Sequence, residues 1–280
     1  MILPDTQSLP DTRAIAIPAV GVTPLAMPLV VKDGASEHHV AATVALYTSL
    51  AGDRKGTHLS RLVESAMPLS RGAVTRAALR EVVADARARL DADEAFIAVQ
   101  FRYDVKKPAP VSELSAYVPY DVCLYSLDGP GGLEEGMTLT VPITTLCPCS
   151  KAISEYGAHN QRGRLAATLA LAGPAAHLGL SPWVGALEAL GSSPVYSLLK
   201  RTDEKAVTER AYDTPKFVED VLRDAVIWLE SRDDLSWFRV RISNDESIHA
   251  HNAVALYDAA RATRPRSRPR FFDYLDLVQP

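Results

Sequence analysis

Apolar and polar residues alternate along this chain with two periods, and the switches between them mark out its elements. Arg71 to Leu90 carries Val74, Ala78, Leu79, Val82, Val83, Ala86 and Leu90 at spacings of three and four, with Arg76, Arg80, Asp85, Arg87 and Arg89 facing elsewhere. That spacing predicts an amphipathic helix. A second helix is expected from Thr214-Pro215 to about Glu230, with Val218, Val221, Leu222, Ala225, Val226 and Leu229 inward. A third is expected over Ser181 to Leu190, with Ser181 as cap and Pro182 at the first position. Period-two or continuously apolar runs predict strands over His39–Leu50, Glu94–Lys106, Ser115–Ser126, Met137–Leu146, Arg162–Leu171, Trp237–Ser243 and Ser247–Tyr257. Gly52 to Gly56 and Asp128 to Gly132 read as turns between them. Residues 57–64 read as a short helical turn or strand end, and residues 191–201 as a loop running into a short helix. Residues 1–36 are broken by Pro4, Pro10, Pro18, Pro24 and Pro28. They are expected as an extended arm, within which Ile15, Ile17, Val20 and Val22 form a short strand or edge. The element order gives two similar α+β halves joined near residue 150: an arm over 1–36, a first half over 37–150 and a second over 151–280.

Chemistry-bearing residues gather where one of these strands ends. Met137–Leu146 runs into Cys147-Pro-Cys149, and His159 follows ten residues after the second cysteine. A thiolate and an imidazole on a loop suit zinc, iron or manganese, zinc and iron best. Two cysteines and one distant histidine are not a complete ligand set, so an idle reduced pair with a surface histidine is the other reading. Near the far end, Glu246, His249 and His251 form an E-x-x-H-x-H cluster. In a strand the two imidazoles would share a face. His38-His39 and His177 have no such company and read as loop residues, and Cys123 reads as core.

Taken together, several segments resemble the type IB GTP cyclohydrolases, the prokaryotic metal-dependent enzymes that open the pterin branch of folate synthesis. They are Lys55-Gly-Thr-His58-Leu-Ser-Arg61, Leu146-Cys-Pro-Cys-Ser-Lys151, Tyr156-Gly-Ala-His-Asn-Gln-Arg162, Asp203-Glu204-Lys205 with Val207-Thr-Glu209, Phe217-Val-Glu219-Asp220, and Asn244-Asp-Glu246-Ser-Ile-His249-Ala-His251. They span about residues 50 to 255, and that breadth makes the resemblance specific. It implies two tandem tunnelling-fold halves, antiparallel sheets with helices on one face that assemble into β-barrels, and a homotetramer with interfacial active sites. It implies that GTP and water become dihydroneopterin triphosphate and formate, at one divalent metal per subunit: zinc, Fe(II) or manganese. On that resemblance Cys147, His159 and Glu204 are the expected metal ligands. His249, His251 and Glu246 either complete the shell or move protons, and Cys149 is a thiol at the site without a fixed role. Glu219 takes the place of the purine-anchoring glutamate. Alone it would read as an ordinary acid in the first turn of a helix. His58, Arg61, Lys151, Arg162, Lys200, Arg201 and Lys205 are the candidates for binding substrate and its triphosphate.

Composition narrows the alternatives. The 280 residues are 47% hydrophobic and carry a net charge of −4, which asks for neither nucleic acid nor an anionic membrane. No apolar run approaches the ~18 residues of a membrane span, and the start lacks a basic stretch followed by an apolar one. Three cysteines, two of them too close for an unstrained bridge, suggest a reducing compartment, so the expected location is the cytoplasm. No Lys-Ser/Thr follows Gly129 to Gly132, so that turn is not a phosphate loop. Two other functions compete. A deazaguanine nitrile reductase of the same fold would use a nucleophilic cysteine and need no E-x-x-H-x-H cluster. A non-catalytic zinc module would close its shell with four protein ligands and carry no anchoring glutamate.

Overall fold

The computed structural model describes residues 5–173, 179–262 and 265–278; His177 lies outside them. Ten strands form one sheet: β1 (Ile17–Asp33), β2 (Ser36–Leu50), β3 (Ala73–Val74), β4 (Ala95–Pro108), β5 (Ser115–Gly129), β6 (Gly132–Leu146), β7 (Asn160–Leu171), β8 (Ser193–Pro194), β9 (Leu235–Asn244) and β10 (Ala253–Asp258). Their order across the sheet is β10-β9-β7-β6-β5-β4-β2-β1-β3, with β8 beside the end of β6. Apart from the short parallel contact of β3 with β1, every pairing is antiparallel. Among the described residues six α-helices accompany it: α1 (Leu59–Ala66), α2 (Arg76–Leu90), α3 (Pro148–Ile153), α4 (Leu180–Glu188), α5 (Arg201–Asp213) and α6 (Val218–Glu230). The expected α+β class with a large antiparallel sheet is the observed one.

One face of the sheet holds the core. Ile97, Val99, Leu124, Val141, Ile143, Leu165, Val240 and Ile242 are buried there with Leu79, Val82 and Val83 of α2 and Val221, Ala225 and Leu229 of α6. Full burial of each such side chain is worth about 1.5–3 kcal/mol. Helix α2 starts where Thr75 Oγ1 accepts the Ala78 N–H at 3.1 Å. Residues 71–75, expected as its first turn, instead hold the end of a 3-10 turn (Met67–Arg71) and β3.

The opposite face is more polar. One cross-strand line runs Thr43, Gln100, Cys123, Thr138, Thr168, Arg239, and the hydroxyls of Tyr125, Thr138 and Thr168 are linked at 2.9 Å each. The C-terminal segment, a 3-10 turn over Arg270–Leu277, crosses part of this face. Tyr274 stacks on Phe96 at 4.8 Å and Phe271 on Tyr125 at 5.3 Å. This tail, basic and then aromatic in sequence, is thus an integral cover.

Other expected boundaries move. Helix α4 starts at Leu180 with Gly179 in the cap position, so Ser181 is not its cap and Pro182 is not its first residue. The proline-rich stretch is extended as expected, but its strand runs 17 residues and pairs with β2 to its end. His38 and His39 lie inside β2, opposite Val31 and Val30, and not in a loop. The helix beginning the last third starts at Val218: Phe217 is its cap residue, and Asp220 accepts the Phe217 N–H at 3.0 Å. The final strand begins at Ala253, so His249 and His251 are not in it. Asn252 Nδ2 donates to Asp245 Oδ1 at 3.0 Å, which closes residues 245–252 into a loop, and β10 first pairs with β9 at Ala253, opposite Asn244.

Candidate active site

The candidate site begins where β6 and β7 meet. Leu146 is opposite Asn160, and beyond that pair the Cys147 N–H donates to the His159 carbonyl at 3.1 Å. Pro148 starts α3 and Cys147 caps it, its Sγ accepting the Ser150 N–H at 3.4 Å. The Ser150 hydroxyl then bridges the two segments, donating to the Cys147 carbonyl at 3.2 Å and accepting the His159 N–H at 3.2 Å. Cys147 and His159 are half-buried, and Cys149 is exposed.

Three other elements reach this corner. The Lys216 N–H donates to the Leu146 carbonyl at 3.0 Å, which sets the start of α6, and Glu219 in its first turn, beside the Cys147 strand. Lys151 donates from Nζ to the Tyr212 carbonyl and lies 4.1 Å over the Tyr212 ring, tying α3 to the end of α5. Ser247, in the loop after β9, places its hydroxyl 3.5 Å from His159 Nδ1. The loop's His249 and His251 are exposed and their rings stack at 5.2 Å. Glu219 is exposed, with its carboxylate free of protein partners among the described residues.

Not every expected residue converges. Glu204 is exposed near the start of α5, whereas the contact of α5 with Lys151 is at its other end. Among the described residues, no three His, Cys, Asp or Glu side chains come together to hold a metal. Lys200 and Arg201 begin α5, and Lys205 pairs with Glu209 one turn on at 2.6 Å. That helix start is anchored by Asp203, which is fully buried. Burial pushes its carboxyl up, but the Ser112 hydroxyl and the N–H groups of Ser112, Lys200 and Val111 more than reverse this and hold it well below the usual range. Arg162 is exposed on β7 beside Arg164 and lines a groove with Tyr196 and Ser197.

His58 and Arg61 lie at the other end of the sheet. They follow β2, whose Thr48 pairs with Ala95 at the start of β4; that end also carries the β5–β6 turn, opposite the Cys147 end of β6. They line a hollow of about 350 Å³ with Arg54, Arg89 and Asp91. His58 Nε2 is 3.2 Å from the Ser8 hydroxyl and 3.5 Å from Asp5, and Arg61 donates to the Arg89 carbonyl at 3.1 Å.

Behind His159 lies a buried polar chain that motif reading missed. Thr145, Gln161 and Asn244 are almost fully buried, and their signal was weak: a glutamine two residues after His159 on a strand, and an asparagine just before the E-x-x-H-x-H loop. Asn244 is opposite Gly163, and a Cβ at residue 163 would lie 2.4 Å from its Oδ1. Gly163→Ala is therefore expected to displace Asn244 and lower stability by about 1–3 kcal/mol. A melting temperature equal to wild type would show that the approach is not tight.

Comparison with known proteins shows the fold and the family of the chain. A solved uricase from Arthrobacter globiformis shares the fold, with a TM-score of 0.54 at 8% identity, covering 91% of this chain and 97% of that one. A relative from Cupriavidus metallidurans named GTP cyclohydrolase FolE2 2 is 42% identical over 257 residues, 92% of this chain and 95% of its own length. A GTP cyclohydrolase FolE2 from Syntrophotalea carbinolica is 41% identical over 256 residues, 91% of this chain and 94% of its own. The family model described as type I GTP cyclohydrolase folE2 matches residues 3–255, a span that takes in the Cys147–His159 corner, Glu219 and the 245–252 loop, and this chain belongs to that family.

Proposed function

We propose that this chain converts GTP and water to 7,8-dihydroneopterin triphosphate and formate, as the first step of pterin and tetrahydrofolate synthesis, at the corner where β6, β7, α6 and the 245–252 loop meet. The observation that carries the assignment is the backbone pairing of Cys147 with His159, next to the strand end that also receives the N–H of Lys216, two residues before α6. A sulfur and a nitrogen donor, both half-buried and fixed by Ser150, suit a zinc, iron or manganese ion. Cys147 and His159 would hold it. The shell would be completed from Glu204, His249 or His251, or by a neighbouring copy. When bound, such an ion supplies an activated water at neutral pH, lowering that water's pKa from about 15.7 toward about 7.

The remaining roles belong to the chain's own groups. Glu219 accepts from guanine N1–H and the 2-amino group together. Those of His249, His251 and Glu246 that do not hold the metal, on an exposed loop beside His159, move protons as water adds at C8, the imidazole ring opens and formate departs. Lys151, Arg162, Lys200, Arg201 and Lys205 offer cations at the same end of the sheet for the triphosphate. Cys149 is an exposed thiol beside them. Incubating the purified, metal-reconstituted protein with GTP should release formate and give a fluorescent pterin on oxidation, and absence of both products would refute the assignment.

An oligomer follows from the sheet's edges. Among the described residues, β10 has no strand on its outer side, and β1 has only the two residues of β3 on its own. Such edges invite pairing with another chain, and closing them with further copies would make a barrel. We expect a cytoplasmic homotetramer in which His58 and Arg61 of one copy serve the Cys147 corner of another, since one chain holds them at opposite ends of its sheet. Light scattering at micromolar concentration should give a multiple of the 30.3 kDa chain. A monomeric mass would overturn the shared-site reading.

A further inference from the structure

The buried chain behind His159 has a consequence for how that ring is held. His159 Nδ1 lies 2.9 Å from Gln161 Oε1. The amide of Gln161 is fixed on its other side, where Nε2 donates to Thr145 Oγ1 at 2.8 Å. Asn244 Nδ2 donates to the same oxygen at 2.8 Å. Thr145 and Gln161 are directly opposite on β6 and β7, and Gly163, two residues on from Gln161, is opposite Asn244 on β9. All three side chains therefore lie on one face at the end of three adjacent strands. Asn244 Oδ1 is buried without a partner, against Gly163, so the amide has little room to move.

We infer that Gln161, braced by Thr145 and Asn244, is a positioning residue that keeps the proton of His159 on Nδ1 and leaves Nε2 as the free donor atom. The inference rests on the reading of His159 as a metal ligand. A glutamine whose NH2 is engaged by Thr145 presents only its carbonyl oxygen to the imidazole, and a carbonyl oxygen can only accept. Nδ1 must then carry the hydrogen, and the neutral ring keeps its lone pair on Nε2, which has no protein partner among the described residues. The Ser247 hydroxyl, at 3.5 Å, is a weaker second contact to Nδ1. Groups that orient a ligating histidine through its other nitrogen typically govern metal affinity by about 10–100-fold. The same chain links three strands: β6, which leads to Cys147; β7, which follows His159; and β9, which ends at the loop of Glu246, His249 and His251. It thereby sets the spacing of the candidate donors.

The test uses two variants and a spectrum. Gln161→Met keeps length and removes both hydrogen bonds; Gln161→Glu keeps an acceptor for Nδ1 and loses the donor to Thr145. Zinc affinity, measured by competition with a chromophoric chelator, should fall about 10–100-fold in Gln161→Met and be largely rescued in Gln161→Glu. In metal-free wild type labelled with 13C and 15N at histidine, solid-state correlation spectra should show His159 protonated at Nδ1, with the signal assigned by its loss in His159→Asn. In Gln161→Met that preference should relax toward a mixture. A wild-type His159 protonated at Nε2, or a Gln161→Met variant with wild-type zinc affinity, would overturn the proposal. A His159→Ala variant that binds zinc like wild type would instead remove the ligand reading beneath it, and the tautomer spectra separate that failure from failure of the hydrogen-bonded chain.

Discussion

Cys147→Ala and His159→Ala should each lose bound metal and turnover together. The free energy of a four-donor site at neutral pH is about 10–16 kcal/mol, so deleting one donor removes roughly 3 kcal/mol, on the order of 100-fold in affinity. Gel filtration followed by elemental analysis would then find little metal on either variant. The fold should survive. Both side chains are half-buried at a strand end, outside the core that α2 and α6 build on the sheet. His159→Ala leaves Gln161 Oε1 without its partner, a cost of about 1–3 kcal/mol for a buried group, whereas Cys147→Ala only removes a capping acceptor from a helix of six residues. Full metal occupancy in both variants would refute the ligand assignment. His249→Asn and His251→Asn should behave differently. Both rings are exposed on the 245–252 loop, so the variants should fold normally and lose most of their activity, with metal content reporting which of them ligates.

The central strands were legible because each buries one face, so their side chains alternate in character. The cross-strand line from Gln100 to Arg239, mostly polar, lies on the other face, away from α2 and α6. β1 was harder to read because its prolines contradict an interior strand. They fit because β1 has an open outer edge, and its register against β2 shifts between Ile17 and Val20 and between Val22 and Leu25, spanning Pro18 and Pro24. The strand expected from Ser247 failed for the converse reason. Its residues alternate, but β9 stops at Asn244, and a strand needs a neighbour as well as a pattern.

The site was legible as a set of residue types and only partly as a place. Cys147 and His159 are joined by bonds within one short stretch of chain, which neighbouring sequence can imply, whereas Ser247 and Tyr212 reach that stretch from far along the chain. His58 and Arg61 looked equally convincing in sequence, yet the sheet sends them to its far end. Nothing in a local motif says at which end of a strand it will sit; that is set by the order of hairpins. Thr145, Gln161 and Asn244 were missed because their task is carried out through each other, across three strands.

Glu219→Gln should give a folded, metal-replete protein with almost no activity on GTP. The residue stands in the first turn of α6, exposed, where an acid gains a few tenths of a kcal/mol from the helix dipole. Asp220, its neighbour, already holds the cap by accepting the Phe217 N–H, so the helix start does not depend on Glu219. A structural role would therefore make the change almost silent. If Glu219 anchors guanine, its two oxygens accept from N1–H and the 2-amino group, and glutamine replaces one acceptor with a donor that faces the purine's own donors. A charge-assisted pair lost in that way costs about 2–4 kcal/mol, or roughly 30- to 1000-fold in kcat/KM. Metal content should stay at the wild-type level, because Glu219 is not a proposed ligand, and that separates this variant from Cys147→Ala. The position of α6 makes the contact feasible, since the Lys216 N–H on the Leu146 carbonyl sets the helix start beside the strand that ends in Cys147. A wild-type kcat/KM in Glu219→Gln would return this glutamate to the helix dipole and leave the guanine without its anchor on α6.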